Sequence, residues 1–349
     1  MTSASLASPQ KVASQTSSGS FFVGVDISKL SFDASLAPIG SVNAEFSKLP
    51  ACSFEMNKTG VGRFGKWLEK ELGTAAAKGI VIEATGTYSK RFAELLKPKS
   101  FPPVSTVNPY YPSSYKRSLG IKDKTDCVDA RVLALYGATR TPAPDKETNP
   151  EQAKLKELQR LCDDYETDIL SWKNRLEQVE YGESRVRIKK TIAQFEASLR
   201  EVRNQIELII KASERMRQDV KLMCTVPGIG EKTAIMLLAE LGDLRDWKRE
   251  KIVSFCGLYL RQHTSGKSVS KRPRLSKGGG WRVRRGLFMC CLALRSRPTL
   301  LKKFGDRLIE RGKSKMCAIG AMMRKLLLLV RAVVVSGVPY DPHFSSSPT

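Results

Sequence analysis

Four carboxylates fall in three short patches near the start of the chain: Asp26, Glu83, Asp126 and Asp129. Asp26 closes the apolar run Phe21-Phe22-Val23-Gly24-Val25, and Glu83 closes Gly79-Ile80-Val81-Ile82. The other two share Lys124-Thr125-Asp126-Cys127-Val128-Asp129-Ala130. An apolar strand that ends in an acid delivers that acid to the edge of a core, and several such strands gather negative charge at one point. Such a point suits magnesium or manganese, which take oxygen ligands. Two such ions about 4 Å apart activate a nucleophile and stabilise a leaving oxygen at phosphorus. Asp126 and Asp129 stand three apart, which puts both on one face of a helix. Any one of these acids, taken singly, reads as a helix cap or a solvated turn, and that is the reading given to Asp33 and Asp123.

A second patch of chemistry lies far downstream. Gly257-Leu258-Tyr259-Leu260-Arg261-Gln262-His263-Thr264-Ser265-Gly266-Lys267 leads into Lys271, Arg272 and Arg274, then Ser276-Lys277-Gly278-Gly279-Gly280 and Arg282, Arg284 and Arg285. A serine in a cationic loop can attack a phosphodiester while arginines pair with the phosphate oxygens. The hydroxyl is a weak nucleophile and needs a base or a metal. On residues alone Ser265 is an ordinary loop serine, with His263 a bystander and Ser268 and Ser270 close by. Upstream, Thr225-Val226-Pro227-Gly228-Ile229-Gly230-Glu231-Lys232 reads as a helix-hairpin-helix. There Gly228 and Gly230 would let backbone amides approach a phosphate at a helix N-terminus; a packing turn is the plain alternative. Cys290-Cys291 read as core, and Trp281 as a packing residue, with stacking on a base the alternative.

The elements that must position these groups follow from pattern. Phe21–Asp26, Ser31–Leu36, Lys78–Glu83 and Val104–Val107 read as strands. Asn57–Leu72, Tyr88–Leu96 and a segment starting at Asp126 read as helices. Strands followed by helices predict a largely parallel sheet over residues 21–145. Thr141-Pro142-Ala143-Pro144 is a link. Leu155, Leu158, Cys162, Tyr165, Ile169, Trp172, Leu176 and Val179 then step by threes and fours, and the pattern resumes from Ile188 to Ile209. That spacing predicts two long helices over 150–215, an antiparallel hairpin or an oligomerising coiled coil. Residues 221–337 read as a mostly helical domain. Residues 1–20, rich in Ser, Ala and Gln, and 338–349 read as loose tails.

Composition bounds the partners. The 349 residues carry a net charge of +24 and are 41% hydrophobic, enough for a real core. From Lys248 through Arg331, 23 Lys or Arg stand against three acids. This favours a polyanion bound through counterion release. No run of apolar residues is long enough to span a bilayer, so a membrane is not the expected partner. Eight cysteines without a C-x-x-C pair, and only two histidines, argue against zinc and for a reducing, cytoplasmic setting.

Four segments together carry a resemblance: Val23-Gly24-Val25-Asp26-Ile27-Ser28-Lys29, Ile82-Glu83-Ala84-Thr85-Gly86-Thr87-Tyr88, Val107-Asn108-Pro109, and Lys124 to Ala130. They resemble the Piv-invertase-like insertion-sequence transposases over residues 21 to about 335. The resemblance implies an α/β ribonuclease-H-like, resolvase-type N-terminal domain, a helical coiled-coil segment, and a mostly α C-terminal domain with a helix-hairpin-helix. It maps Asp26, Glu83, Asp126 and Asp129 onto a magnesium-binding DEDD tetrad, with manganese as an alternative. It makes Ser265 a nucleophile that forms a phosphoserine link to DNA, although Thr264 stands where the family commonly has Ser or Asp. It further implies target and donor DNA, a structured non-coding guide RNA from the same element, and a homo-oligomer between dimer and tetramer. Two other readings of the same residues stay open. One is a metal-dependent junction nuclease that uses water. The other is a nucleic-acid-binding protein without activity.

Overall fold

A computed structural model describes residues 20–40, 46–98, 100–145, 149–265 and 269–342, and for 262–273 the backbone alone. The chain divides into two units, residues 1–147 and 148–349.

The first unit is built on five strands: β1 (Ser20–Ile27), β2 (Ser31–Pro38), β3 (Ala51–Glu55), β4 (Ala76–Glu83) and β5 (Val104–Val107). Their order in the sheet is β3-β2-β1-β4-β5. β1, β4 and β5 run parallel, whereas β2 pairs antiparallel with both β1 and β3. The sheet is therefore mixed rather than largely parallel. The reason is local: only Ser28–Leu30 separates β1 from β2, and a link that short can only reverse the chain. Ser28 donates its hydroxyl to the Ser31 carbonyl at 2.8 Å and fixes the turn.

Four helices accompany the sheet: α1 (Lys58–Leu72), α2 (Thr87–Leu96), α3 (Tyr110–Ser118) and α4 (Asp126–Arg140). Asn57 caps α1 by accepting from the Gly60 amide at 2.7 Å, and Thr125 caps α4 by accepting from Val128 at 3.3 Å. Alternation along β1 splits the core between two faces. Val23, Val25 and Ile27 pack with Phe64 of α1 and Phe92 of α2. Phe22 packs on the opposite face with Leu133 and Ala134 of α4. The period of two then puts Asp26 on the α4 face with Phe22 and Gly24, and Glu83 on that face with Val81.

The second unit is helical: α5 (Pro150–Gln178), α6 (Gly182–Ala212), α7 (Glu214–Cys224), α8 (Glu231–Leu241), α9 (Arg249–Phe255), α10 (Trp281–Leu294), α11 (Leu300–Glu310) and α12 (Lys315–Ser336). α5 and α6 lie antiparallel. Lys173 meets Glu196 and Arg203 meets Glu166, both at 2.8 Å, so residue numbers rise along one helix as they fall along the other. One apolar cluster runs from Leu155 and Leu199 on these helices to Leu326 and Val334 on α12. Cys290 and Cys291 are buried in it. Between α9 and α10 stands a hairpin of β6 (Leu260–Ser265) and β7 (Val269–Leu275), where the sequence pattern suggested a loop. Among the described residues no helix is long and apolar enough to cross a membrane.

Candidate functional site

β1 and β4 are neighbours, in register at Val25 and Ile82. The next residue of each is Asp26 or Glu83, so two carboxylates leave adjacent strand ends on the same face. α4 brings the third side. Its close approach depends on Gly24: a Cβ there would stand 2.0 Å from the Ala134 nitrogen and 2.2 Å from the Ala130 carbonyl oxygen. The α4 backbone thus lies directly on β1. Asp126 and Asp129 occupy its first turn, where the helix dipole favours negative charge.

The acids feel one another. Burial pushes the Asp26 carboxyl up to about 6, and the charges of Asp129 and Asp126 add to this. Burial also raises Glu83, helped by Asp26 and Asp129, while Lys116 pulls it down. Destabilisation of the ionised Asp26 and Glu83 carboxylates marks a place that a cation would relieve. An all-oxygen donor set fits magnesium or manganese rather than a soft metal. Among the described residues, no three His, Cys, Asp or Glu side chains form a ready-made ligand shell. Instead the ammonium of Lys116 sits 2.5 Å from Asp129 Oδ1.

Two further groups at this centre escaped the sequence reading. Asp33 is no solvated cap: it is 6% exposed, faces Asp26 across β1 and β2, and accepts from Cys127 Sγ at 3.3 Å. Lys116 belongs to α3, which no pattern announced. The Tyr115 ring meets Tyr136 edge-on, and its hydroxyl bonds Thr139 Oγ1 at 3.0 Å, which holds α3 on α4.

In the second unit, Ser265 is the last residue of β6 and pairs through its backbone register with Val269. Its side chain lies outside the described residues, as do Lys267, Ser268 and the side chains of His263, Ser270, Lys271 and Arg272. Arg274, Lys277 and Arg285 are exposed. Arg282 and Arg284 are engaged within the protein instead. Arg282 donates to Asp163 Oδ2 at 3.1 Å and lies over the Trp281 ring at 4.6 Å. Trp281 itself is exposed rather than packed in the core. Arg284 donates to the carbonyls of Cys256, at 3.0 Å, and Gly279. The glycines beside it serve packing: a Cβ on Gly279 would meet the Phe255 carbonyl oxygen at 2.5 Å. Gly228 has φ +90° and packs on Leu294, whereas Gly230 is open to solvent at the start of α8. Lys232, two residues on, pairs with Glu166.

A mixed sheet of this order, acids at its strand ends and a helical second unit fit the ribonuclease-H-like type of nucleic-acid enzyme. Comparison with known proteins gives the family. Residues 23–179 match the DEDD-type transposase model of IS110, and residues 220–305 match the transposase IS116/IS110/IS902 family. The pilin gene-inverting protein of Moraxella bovis is 31% identical over 323 residues, 92% of this chain and 97% of that protein. Its counterpart in Moraxella lacunata is 30% identical over the same share. The transposase for insertion sequence element IS1111A of Coxiella burnetii is 35% identical over 69 residues, 18% of this chain and 19% of that protein. The chain belongs to the IS116/IS110/IS902 transposase family, with the Piv-type inverting proteins, and is a DNA recombinase of that class.

Proposed function

We propose that this recombinase cleaves and rejoins DNA with Ser265 as nucleophile and Asp26, Glu83, Asp126 and Asp129 as the holders of magnesium, manganese serving as an alternative. The bound ions would supply charge neutralisation at the phosphate. The observation that carries the reading is that Asp26 and Glu83 leave neighbouring strands at the same end of the sheet, both held above their ordinary range by burial and by the charge of Asp129. In the reaction the Ser265 oxygen bonds to phosphorus and loses its proton. The bridging P–O bond breaks, and the freed DNA hydroxyl takes up a proton. A hydroxyl from another strand end then reverses the exchange and releases Ser265. No water or energy source is consumed, as befits inversion or transposition.

The basic segment from Lys248 to Arg331 supports binding of target and donor DNA. Protein grip on backbone would leave sequence choice to a structured guide RNA from the same element. The paired helices α5 and α6 are the proposed route to a dimer or tetramer. The test is trapping under denaturing conditions. Wild type is expected to leave a covalent protein–DNA adduct in the presence of magnesium, and Ser265→Ala none. Adducts that persist in Ser265→Ala place the nucleophile elsewhere, and cleavage without any adduct in wild type favours hydrolysis by water.

A further inference from the structure

Lys116 stands at the carboxylate centre on Asp129, and the proposed chemistry gives it no role. Its side chain is 16% exposed, a low figure for a lysine, and it ends on Asp129 at 2.5 Å. Burying an ammonium is costly unless it is paired, and here the pairing is with a carboxylate that also bears on Asp26 and Glu83. The placement is built rather than incidental. Pro109 opens α3, Tyr115 clamps α3 to α4 through Tyr136 and Thr139, and Lys116 is the next residue along. The contacts of Tyr115 fix the backbone of Lys116 beside α4, so its ammonium starts from a set position next to Asp129.

We infer that Lys116 is the resident counter-cation of the carboxylate centre, a positioning residue whose ammonium occupies Asp129 until a divalent ion takes that oxygen. The inference rests on the metal-binding reading of the four acids. It assigns the chain a built-in competitor: the ion binds by displacing a tethered charge as well as water. Asp129 gives up one ammonium contact and gains one to the ion. The released lysine, still anchored through α3, is then available at the edge of the site, where phosphate oxygens of the substrate would lie. Competition of this kind keeps the acids together without an ion and makes occupancy depend on the lysine's leaving.

The direction of one effect separates this from a structural role. If Lys116 merely supported the fold of the site, removing it would weaken metal binding. If it competes, removing it tightens binding. The test is calorimetric titration of full-length protein with Mn2+ in the absence of nucleic acid. Lys116→Met is expected to bind Mn2+ about tenfold tighter than wild type or more, since a unit charge at contact distance is removed. Lys124→Met, which removes an exposed lysine two residues before Asp126, is expected to change affinity far less. Lys116→Arg is expected to bind like wild type or more weakly.

A second measurement needs no variant. The acylation rate of Lys116 in wild type, read by peptide mass spectrometry, is expected to rise several-fold on adding Mg2+. Equal Mn2+ affinity in wild type and Lys116→Met, with affinity lost in Asp26→Asn, overturns the inference and leaves the metal reading standing. So does an acylation rate indifferent to Mg2+ in protein that binds it. Absence of Mn2+ binding in wild type and Lys116→Met alike overturns both.

Discussion

At the end of β1, Asp26 keeps a carboxyl where ionising it is unfavourable. Burial and the charges of Asp129 and Asp126 move its midpoint from 3.8 to about 6. The folded chain therefore holds this proton over a pH range in which the unfolded chain has released it. Folding takes up a proton there, so the contribution falls as pH rises from about 4 through about 6 and does not recover above it. Asp26→Asn removes the penalty. In metal-free protein at pH 7.5 the variant is expected to be more stable by about 1–2 kcal/mol, solvent screening at a half-buried position holding the gain to that range. Its melting temperature should lose much of the decline that wild type shows between pH 4 and pH 7. Magnesium should stabilise wild type and leave the variant unmoved. Thermal melts across pH, with and without the ion, check all three. A variant less stable than wild type at pH 7.5 would mean that Asp26 supports the fold rather than straining it.

The element that completes the centre is α4, and its distance from β1 is set by one missing side chain. Gly24→Ala places a methyl against the Ala130 and Ala134 backbone, atoms that cannot turn away as a flexible side chain would. The helix must shift, taking Asp126 and Asp129 with it. The expected cost is about 3 kcal/mol by thermal denaturation, at the upper end of ordinary overpacking. Recombination should be lost even at temperatures where the variant remains folded. Wild-type activity in folded Gly24→Ala would show that the acids tolerate a displaced helix. The strands that carry Asp26 and Glu83 and the helix that starts at Asp126 were legible in the sequence because each is a local signal. Buried apolar runs lead to Asp26 and Glu83, and the paired acids Asp126 and Asp129 announce a helix's first turn. α3 was not legible: Pro112 is its only buried residue, so it carries no apolar stripe to betray it. The β6–β7 hairpin hid among glycines and cations, whose alternation is too weak to read as strands. Arg282 looked like a phosphate ligand because its partner, Asp163, lies 119 residues away in the chain. Asp33 looked like a cap for a related reason, since its burial arises from pairing with β1 and contact with Cys127.

Charge is distributed over the whole molecule very unevenly. The segment from Lys248 through Arg331, with 23 Lys or Arg against three acids, holds most of the chain's +24. The helices before it are laced with ion pairs, such as Arg160 with Glu240 and Lys232 with Glu166, and contribute little net field. Binding to a duplex should therefore be governed by this one segment and be steeply salt-dependent, each neutralised phosphate adding about 0.9 to the slope of log K against log salt. Not every cation in it counts. Arg274, Lys277 and Arg285 are exposed, whereas Arg282 and Arg284 hold α10 to Asp163 and to the carbonyls of Cys256 and Gly279. Replacing Arg274, Lys277 and Arg285 together by Ala is expected to flatten the slope by about 2–3 while leaving the melting temperature nearly unchanged. Arg282→Ala should do the reverse, lowering the melting temperature and leaving the slope as it was, because its charge is already spent on Asp163. Fluorescence anisotropy of a labelled duplex across a salt series, paired with thermal melts, separates the two. A flattened slope in Arg282→Ala without loss of stability would mean that the arginine leaves Asp163 for phosphate when DNA arrives.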